Sequence, residues 1–371
     1  MGMNLLSMLR RGHPSQWQGY AESVPPQVSP TPLATPWWLM RQAGRYLPEY
    51  RAVRQTAGSF MALALNPHLA EAVTLQPLAR FGMRGAILFS DILMVPYGLG
   101  RNVTFTAGEG PEVAPVNTLA TAQALTWQPA RIAPVLATVR GLRQQLEAHY
   151  PATTLIGFAG GPWTVGLYCC PGEHTKGDGW GQQVQWLTAH PDIAQTLQEK
   201  LLAATTQYLV AQAHAGAAVL QIFESWAQSA VDFEAQVARP LQQLVQNVRA
   251  QAPGVPIILF PRVGADLAAF VHVVKTCQPD GVGIGHELDL TAVMAALAAA
   301  GCYPTLQGNY DPSRLATLPP AQITAEVSSM VRLGQTWPGG YIANLGHGIL
   351  PHTPIDNVVA FAAGVNAVNT P

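Results

Sequence analysis

Residues 256–300 read PIILFPRVGADLAAFVHVVKTCQPDGVGIGHELDLTAVMAALAAA, and the order of patterns in this stretch decides the fold. An uninterrupted apolar run (256–260) ends in a Pro-Arg-Val-Gly turn, and a segment with helical spacing of apolar residues (265–276) follows. The cycle then repeats with a second short run (281–284), a Gly-His-Glu turn and a second helical segment (290–300). Strands that are apolar on both faces and alternate with helices belong to a parallel sheet covered on the outside.

Six more short apolar runs flank this stretch, at 37–40, 86–89, 154–158, 218–223, 303–306 and 341–345, each ending in a glycine- or polar-rich turn. Further helical segments occupy 193–213 and 233–250. Eight strand–turn units of this kind predict an α/β fold, a (β/α)8 TIM-type barrel forming a single catalytic domain over 36–371. A doubly wound open sheet is the alternative arrangement of the same units. Residues 101–116 read as an inserted loop or hairpin. Residues 1–35, rich in proline and small residues from 23 onward, read as a poorly structured lead-in.

About half the residues are hydrophobic and 11% are charged, which is ample material for one large core. The net charge of −1 argues against a general binder of nucleic acid or anionic membranes, so any electrostatic function is local. Cys169, Cys170, Cys277 and Cys302 form no C-x-x-C pair and read as reduced thiols of a cytoplasmic protein. No apolar run reaches membrane-spanning length. The start, MGMNLLSMLRRG, has its arginines after the apolar stretch, unlike a secretory signal, and Leu6 breaks the myristoylation pattern.

Barrel enzymes place their chemistry at the carboxyl ends of the strands. In this chain those turns read MRQAGRYLPEYR, SDIL, AGGPWTVGLY, ESWA, PRVG, GHE, QGNYDP and GHGILP. One mouth would collect Arg41, Arg45, Asp91, Tyr168, Ser225, Arg262, Asp311 and His347. Seventeen of the 20 basic residues are arginine, and four of them (Arg41, Arg45, Arg51, Arg54) crowd the first of these turns. Guanidinium groups meet carboxylates or phosphates bidentately and stay charged in a desolvated site. A solvated basic face is the other reading, although it would not need the interleaved Tyr46, Leu47, Tyr50 and Val53.

The motifs MRQAGRYLPEYR, LFSDIL, GFAGGPWT, QIFESWA, LQGNYDP and YIANLGHGI, in this order, resemble those of the uroporphyrinogen decarboxylase family from about Pro36 to the C-terminus. The resemblance implies a homodimeric TIM-type barrel in the bacterial cytoplasm, with a small-molecule substrate, no nucleic-acid or membrane partner, and no metal or organic cofactor. The implied reaction removes carbon dioxide from the acetate side chains of uroporphyrinogen III, giving coproporphyrinogen III in haem biosynthesis. By the same resemblance Asp91 is the central carboxylate that accepts the pyrrole N–H groups. Arg41 and Arg45 contact substrate carboxylates, and one of them also helps deliver the proton. Tyr168 and His347 partner the reacting acetate, while Arg54 and Ser225 add substrate contacts. Asp91, Arg41, Tyr168 and His347 thus form the implied catalytic set. From the residues alone, Asp91 reads equally as a helix cap beside Ser90, His347 as a structural histidine in a glycine turn, and Arg51 as structural.

Several positions depart from the family pattern. Gly285-His286 stands where an Asp-Trp pair is expected, Pro261-Arg262-Val263 where a lysine and a glycine are typical, and Met83-Arg84-Gly85 where an aspartate and alanines are usual. Gln228 replaces a glycine, and the loop 169–180 lacks the usual glycine-serine run. These departures bear on substrate fit, so a diverged tetrapyrrole-binding paralogue is one alternative. A barrel methyltransferase is another, but its His-x-Cys zinc motif is absent. Gly281-x-Gly283-x-Gly285 lacks the last glycine of a dinucleotide turn and reads as strand-end packing.

Overall fold

In the computed structural model, which describes residues 4–16, 34–106, 110–172 and 180–369, the apolar runs become strands of one curled parallel sheet. In chain order the strands are β1 (Gly85–Ile87), β2 (Val103–Thr106), β3 (Gly110–Val113), β4 (Thr154–Gly160), β5 (Val219–Glu224), β6 (Ile257–Pro261), β7 (Gly281–Gly283), β8 (Thr305–Tyr310) and β9 (Tyr341–Leu345). The sheet runs β1-β4-β5-β6-β7-β8-β9, and every neighbouring pair is parallel. Every residue of β4, β6 and β9 is buried, as a sheet covered on both faces requires. β2 and β3 pair antiparallel as the separate hairpin anticipated within 101–116.

The strand expected at 37–40 is not one. It reduces to a single parallel bridge between Trp37 and Ala343. Backbone bonds nevertheless tie this segment to both edges of the sheet. The Trp38 N–H donates to Ala343 O (3.3 Å) and the Ala343 N–H to Pro36 O (3.0 Å), while the Arg84 N–H, just ahead of β1, donates to Trp37 O (2.9 Å). Pro36 has no N–H to lengthen the ladder and the chain already turns at Met40, so contact between β1 and β9 is made through a few residues.

The helices used below are α1 (Leu5–Arg11), α2 (Pro48–Ala57), α3 (Pro67–Phe81), α4 (Pro129–His149), α5 (Pro162–Cys169), α6 (Pro191–Ala215), α7 (Arg239–Gln251), α8 (Leu267–Cys277), α9 (Leu290–Ala299), α10 (Pro320–Gln335) and α11 (Ile355–Asn369). Local chemistry sets their starts. α2 to α6 and α10 begin with proline, whose missing N–H is no loss in a first turn. Asn66, Asp266 and Asp289 cap α3, α8 and α9 by accepting first-turn N–H groups. The helix expected over 233–250 opens with a π-helical turn, Glu234–Ala238, ahead of α7. Pro240 cannot donate the next i→i−4 bond, which accounts for the looser winding there.

Of the lead-in expected over 1–35, residues 1–3 and 17–33 lie outside the described residues. Between them α1 forms, capped by Asn4, with Leu5, Met8 and Leu9 buried on one face. The Thr305 hydroxyl donates to Met8 O (3.0 Å), and His13 lies 3.7 Å from Asp280. Thr305 and Asp280 stand at the amino ends of β8 and β7, so α1 plugs that end of the barrel. The carboxyl end is left to the loops.

Candidate active site

An aromatic floor underlies the carboxyl-terminal mouth. Register places Phe158 opposite Gln221, and Phe223 opposite Phe260. Neighbouring rings meet nearly edge to face, at centroid distances of 5.7 Å (Phe158–Phe223) and 6.0 Å (Phe223–Phe260). One layer deeper, the Trp38 indole donates to Gln307 (2.9 Å), whose amide donates to Gln221 (3.3 Å). This chain of bonds links three polar side chains inside the barrel beneath the floor, and the Gln221 amide nitrogen has no partner among the described residues.

The arginine-bearing loop is pinned from three sides. The Met40 N–H donates to Asn344 Oδ1 (3.0 Å) at the end of β9, the Ile349 N–H donates to Met40 O (2.9 Å), and the Gln42 amide donates to Gly85 O (3.0 Å). Between these anchors Arg41 takes a left-handed backbone, φ 63°, a conformation that costs a non-glycine residue about 1 kcal/mol. Its stem lies directly over Gly348, where any Cβ would collide with Arg41 Cγ and Cδ. Arg51 is structural, since its guanidinium donates to Arg45 O (2.7 Å) and Tyr46 O (3.3 Å). Arg41 and Arg45 are exposed and Arg54 is half-buried. Among the described residues none of these three has a carboxylate within ion-pair distance, whereas Arg80, Arg249, Arg262 and Arg314 each do. Arg45 and Arg54 converge electrostatically on the buried Tyr50, whose ring packs on Phe89 two residues before Asp91.

Asp91, Arg41, Tyr168 and His347 come together. Asp91 accepts the Leu93 N–H (2.8 Å), so it does cap a turn, and among the described residues its second oxygen has no such partner. Burial pushes its carboxyl up to about 6, against the pull of that hydrogen bond and of the Arg41 charge. The Tyr168 hydroxyl is raised above its ordinary value by burial and by the Asp91 charge, while a Trp226 hydrogen bond and Arg41 act the other way. His347 is pushed down to about 4 by burial and by the like charges of Arg41, Arg262 and His286. In the free protein this favours the neutral imidazole of His347 at physiological pH.

The other mouth residues divide. Ser225 is half-buried between β5 and Trp226. Trp180 packs edge-on against both Tyr168 (4.6 Å) and Trp226 (5.5 Å). Arg262 is committed to Glu287 (2.8 Å) and lies 5.9 Å over the Trp226 ring. Asp311 serves as a cap, accepting the Ser313 N–H and hydroxyl (2.7 Å each). In the departing loop at 169–180, residues 173–179 lie outside the described residues. The Phe158–Phe223–Phe260 floor and the Trp226 contacts escape a reading of the turns, because the floor residues look like ordinary strand core. Among the described residues no three His, Cys, Asp or Glu side chains converge as a metal site requires.

A family model described as uroporphyrinogen decarboxylase (URO-D) matches residues 30–368. A uroporphyrinogen decarboxylase of Rhodospirillum rubrum is 43% identical over 339 residues, covering 89% of this chain and 91% of that protein. Those of Granulibacter bethesdensis (42%; 87% and 92% covered) and Brucella anthropi (41%; 88% and 93%) are similar to the same degree. Among solved structures, a methyltransferase from Methanosarcina mazei superposes with a TM-score of 0.65 at 18% identity, covering 96% of this chain and 98% of that one. A B12-independent methionine synthase from Shewanella sp. gives 0.54 at 12% identity, covering 92% and 98%. At such low identity these two likenesses concern the barrel alone.

Proposed function

Because the chain belongs to the uroporphyrinogen decarboxylase family, we propose that it removes carbon dioxide from the acetate side chains of uroporphyrinogen III and releases coproporphyrinogen III. The observation that carries this reading is the pairing of one half-buried carboxylate, Asp91, with three arginines that have no ion-pair partner among the described residues, around an apolar floor. The substrate is a flexible macrocycle with eight carboxylates at its rim and four pyrrole N–H donors at its centre. Cations suit the rim and an acceptor suits the centre. The aromatic floor suits the hydrocarbon between them.

Decarboxylation breaks the bond between the acetate methylene and its carboxylate, and the electron pair needs a sink. A pyrrole protonated at its α-carbon provides one. The pair enters the ring, carbon dioxide leaves, a proton closes the new methyl group, and loss of the α-proton restores the pyrrole. The intermediate is cationic, so the preorganised Asp91 anion stabilises it. Arg41, which acts electrostatically on Asp91, Tyr168 and His347, holds the reacting carboxylate between them. Arg45 and Arg54 bind the neighbouring carboxylates, with Tyr168 and Ser225 orienting the side chain from the opposite wall. Substrate carboxylates bring negative charge to His347 and raise its proton affinity from the depressed value of the empty site.

The enzyme acts in the cytoplasm as a homodimer, and the chain's own residues carry the reaction without a cofactor. No helix among the described residues is long and apolar enough to cross a membrane. The test is an anaerobic assay with chemically reduced uroporphyrinogen III, resolving products by carboxylate number. Stepwise loss of four carboxylates without added metal or cofactor is the expected result, and no conversion would overturn the reading. Sedimentation at micromolar concentration tests the dimer, and a monomer that turns over at full rate would remove it.

A further inference from the structure

Behind the mouth stands a carboxylate to which the chemistry above gives no task. Glu224 ends β5 and is 1% exposed. Its partners are the first free N–H groups of α5. Oε1 accepts from the Thr164 N–H (2.6 Å) and Oε2 from the Trp163 N–H (3.3 Å). A helix leaves these donors unpaired at its start, and its dipole favours a negative charge there. The N-cap position of α5 is Gly161, which has no side chain to supply the cap. A Cβ at Gly161 would occupy the space of the Glu224 carboxylate, so the missing side chain makes room for the cap from β5.

The turn after Glu224 grips the same helix again. The Trp226 N–H donates to Thr164 Oγ1 (3.1 Å), and the Trp163 indole donates to Trp226 O (3.2 Å) and Ser229 Oγ (3.1 Å). One helical turn beyond Thr164 stands Tyr168, which the Trp180 ring, packed edge-on against both, joins to Trp226. We propose that Glu224 is a positioning residue that fixes the Tyr168 hydroxyl relative to Asp91 and the reacting acetate by clamping the first turn of α5 to the turn bearing Trp226. This inference rests on the decarboxylase reading above. A helix is stiff along its axis, so a shift at Thr164 reaches Tyr168 undiminished.

Glutamine at 224 preserves volume but replaces one acceptor oxygen with an NH2, which then faces a backbone donor. Burial already pushes the Glu224 carboxyl up to about 7, so a neutral side chain there is compatible with folding. The experiment is a double-mutant cycle of Glu224→Gln and Tyr168→Phe, read by anaerobic turnover and by thermal melting of each protein. Glu224→Gln is expected to lower kcat about 10- to 100-fold beside the native tyrosine, the scale of a misplacement near 1 Å. KM should stay within about threefold, because the lost interaction belongs to the reacting state. In the Tyr168→Phe background the same change should alter kcat by less than about threefold, while any loss of melting temperature persists in both backgrounds. Equal kcat losses in both backgrounds, or no loss beside the native tyrosine, overturn the proposal. If Glu224→Gln does not fold, Thr164→Val removes the hydroxyl that accepts the Trp226 N–H, which loosens the same clamp, and enters the same cycle with the same expectations. An inert native chain overturns the functional reading and the proposal together, and that outcome is visible before any variant is made.

Discussion

Asp91 is asked to be an anion in a place that disfavours anions. Its carboxyl is held at about 6 in the folded chain, against an ordinary value of 3.8. The fold therefore holds this proton more tightly than the unfolded chain does. The resulting destabilisation is absent below the ordinary value, grows through the interval, and is complete above about 6. Asp91→Asn should stabilise the protein at neutral pH by on the order of 1–3 kcal/mol, the lower end reflecting partial exposure to the mouth. Urea denaturation should show this gain disappearing as pH falls toward the ordinary carboxylate range. The same substitution should cost about 3 kcal/mol or more in the chemical step, a hundredfold loss of kcat measured anaerobically. If the ionised form is the working form, as proposed above, kcat/KM should fall as pH drops through about 6. The sign is opposite at His347. With its proton affinity pushed down to about 4, its imidazole resonance should not move between pH 5 and 8 in the free protein. A bound polycarboxylate should bring the titration back into that window. A resonance that titrates near its ordinary value without ligand would show that Arg41 and Arg262 do not face it.

At the scale of elements, the two ends of the barrel separate stability from chemistry. α1 seals the amino end with Leu5, Met8 and Leu9, all on one face and all buried. Leu9→Ala should cost about 2–5 kcal/mol in denaturation experiments, the usual range for a cavity in a packed core. Turnover by the folded fraction should be unchanged, because the mouth lies at the other end. A drop in kcat matching the drop in stability would mean that the plug and the mouth are coupled. β8 shows why some boundaries elude sequence reading. The apolar run predicts 303–306, whereas the strand continues to Tyr310 through Gln307, Gly308 and Asn309. Polar residues look like the end of a buried strand. Here Gln307 finds Trp38 and Gln221 inside the barrel, and Asn309 donates to Gly285 O and Leu288 O. Their partners lie 21 to 269 positions away in the chain, so a local pattern cannot anticipate them.

For the molecule as a whole, a net charge of −1 coexists with a mouth that exposes Arg41 and Arg45 and partly exposes Arg54. Attraction for a polycarboxylate is therefore local and screened by salt. Raising ionic strength from about 0.05 to 0.5 M should lower kcat/KM roughly tenfold while moving kcat little, since screening weakens capture and not a desolvated reaction. Salt-independent capture would mean that the arginines do not meet substrate charge. The strand–helix alternation, the helix opening near Leu290, and the clustering of Arg41, Arg45, Asp91, Tyr168 and His347 near strand ends are all readable along the chain, because each depends on period or on motif order. Three further matters required the folded chain: the short bridge at Trp37 that joins β1 to β9, the depressed proton affinity of His347, and the clamp of Glu224 on α5. In each of them the deciding partners come from distant segments, and only packing sets the burial and distance on which hydrogen bonding and electrostatics depend.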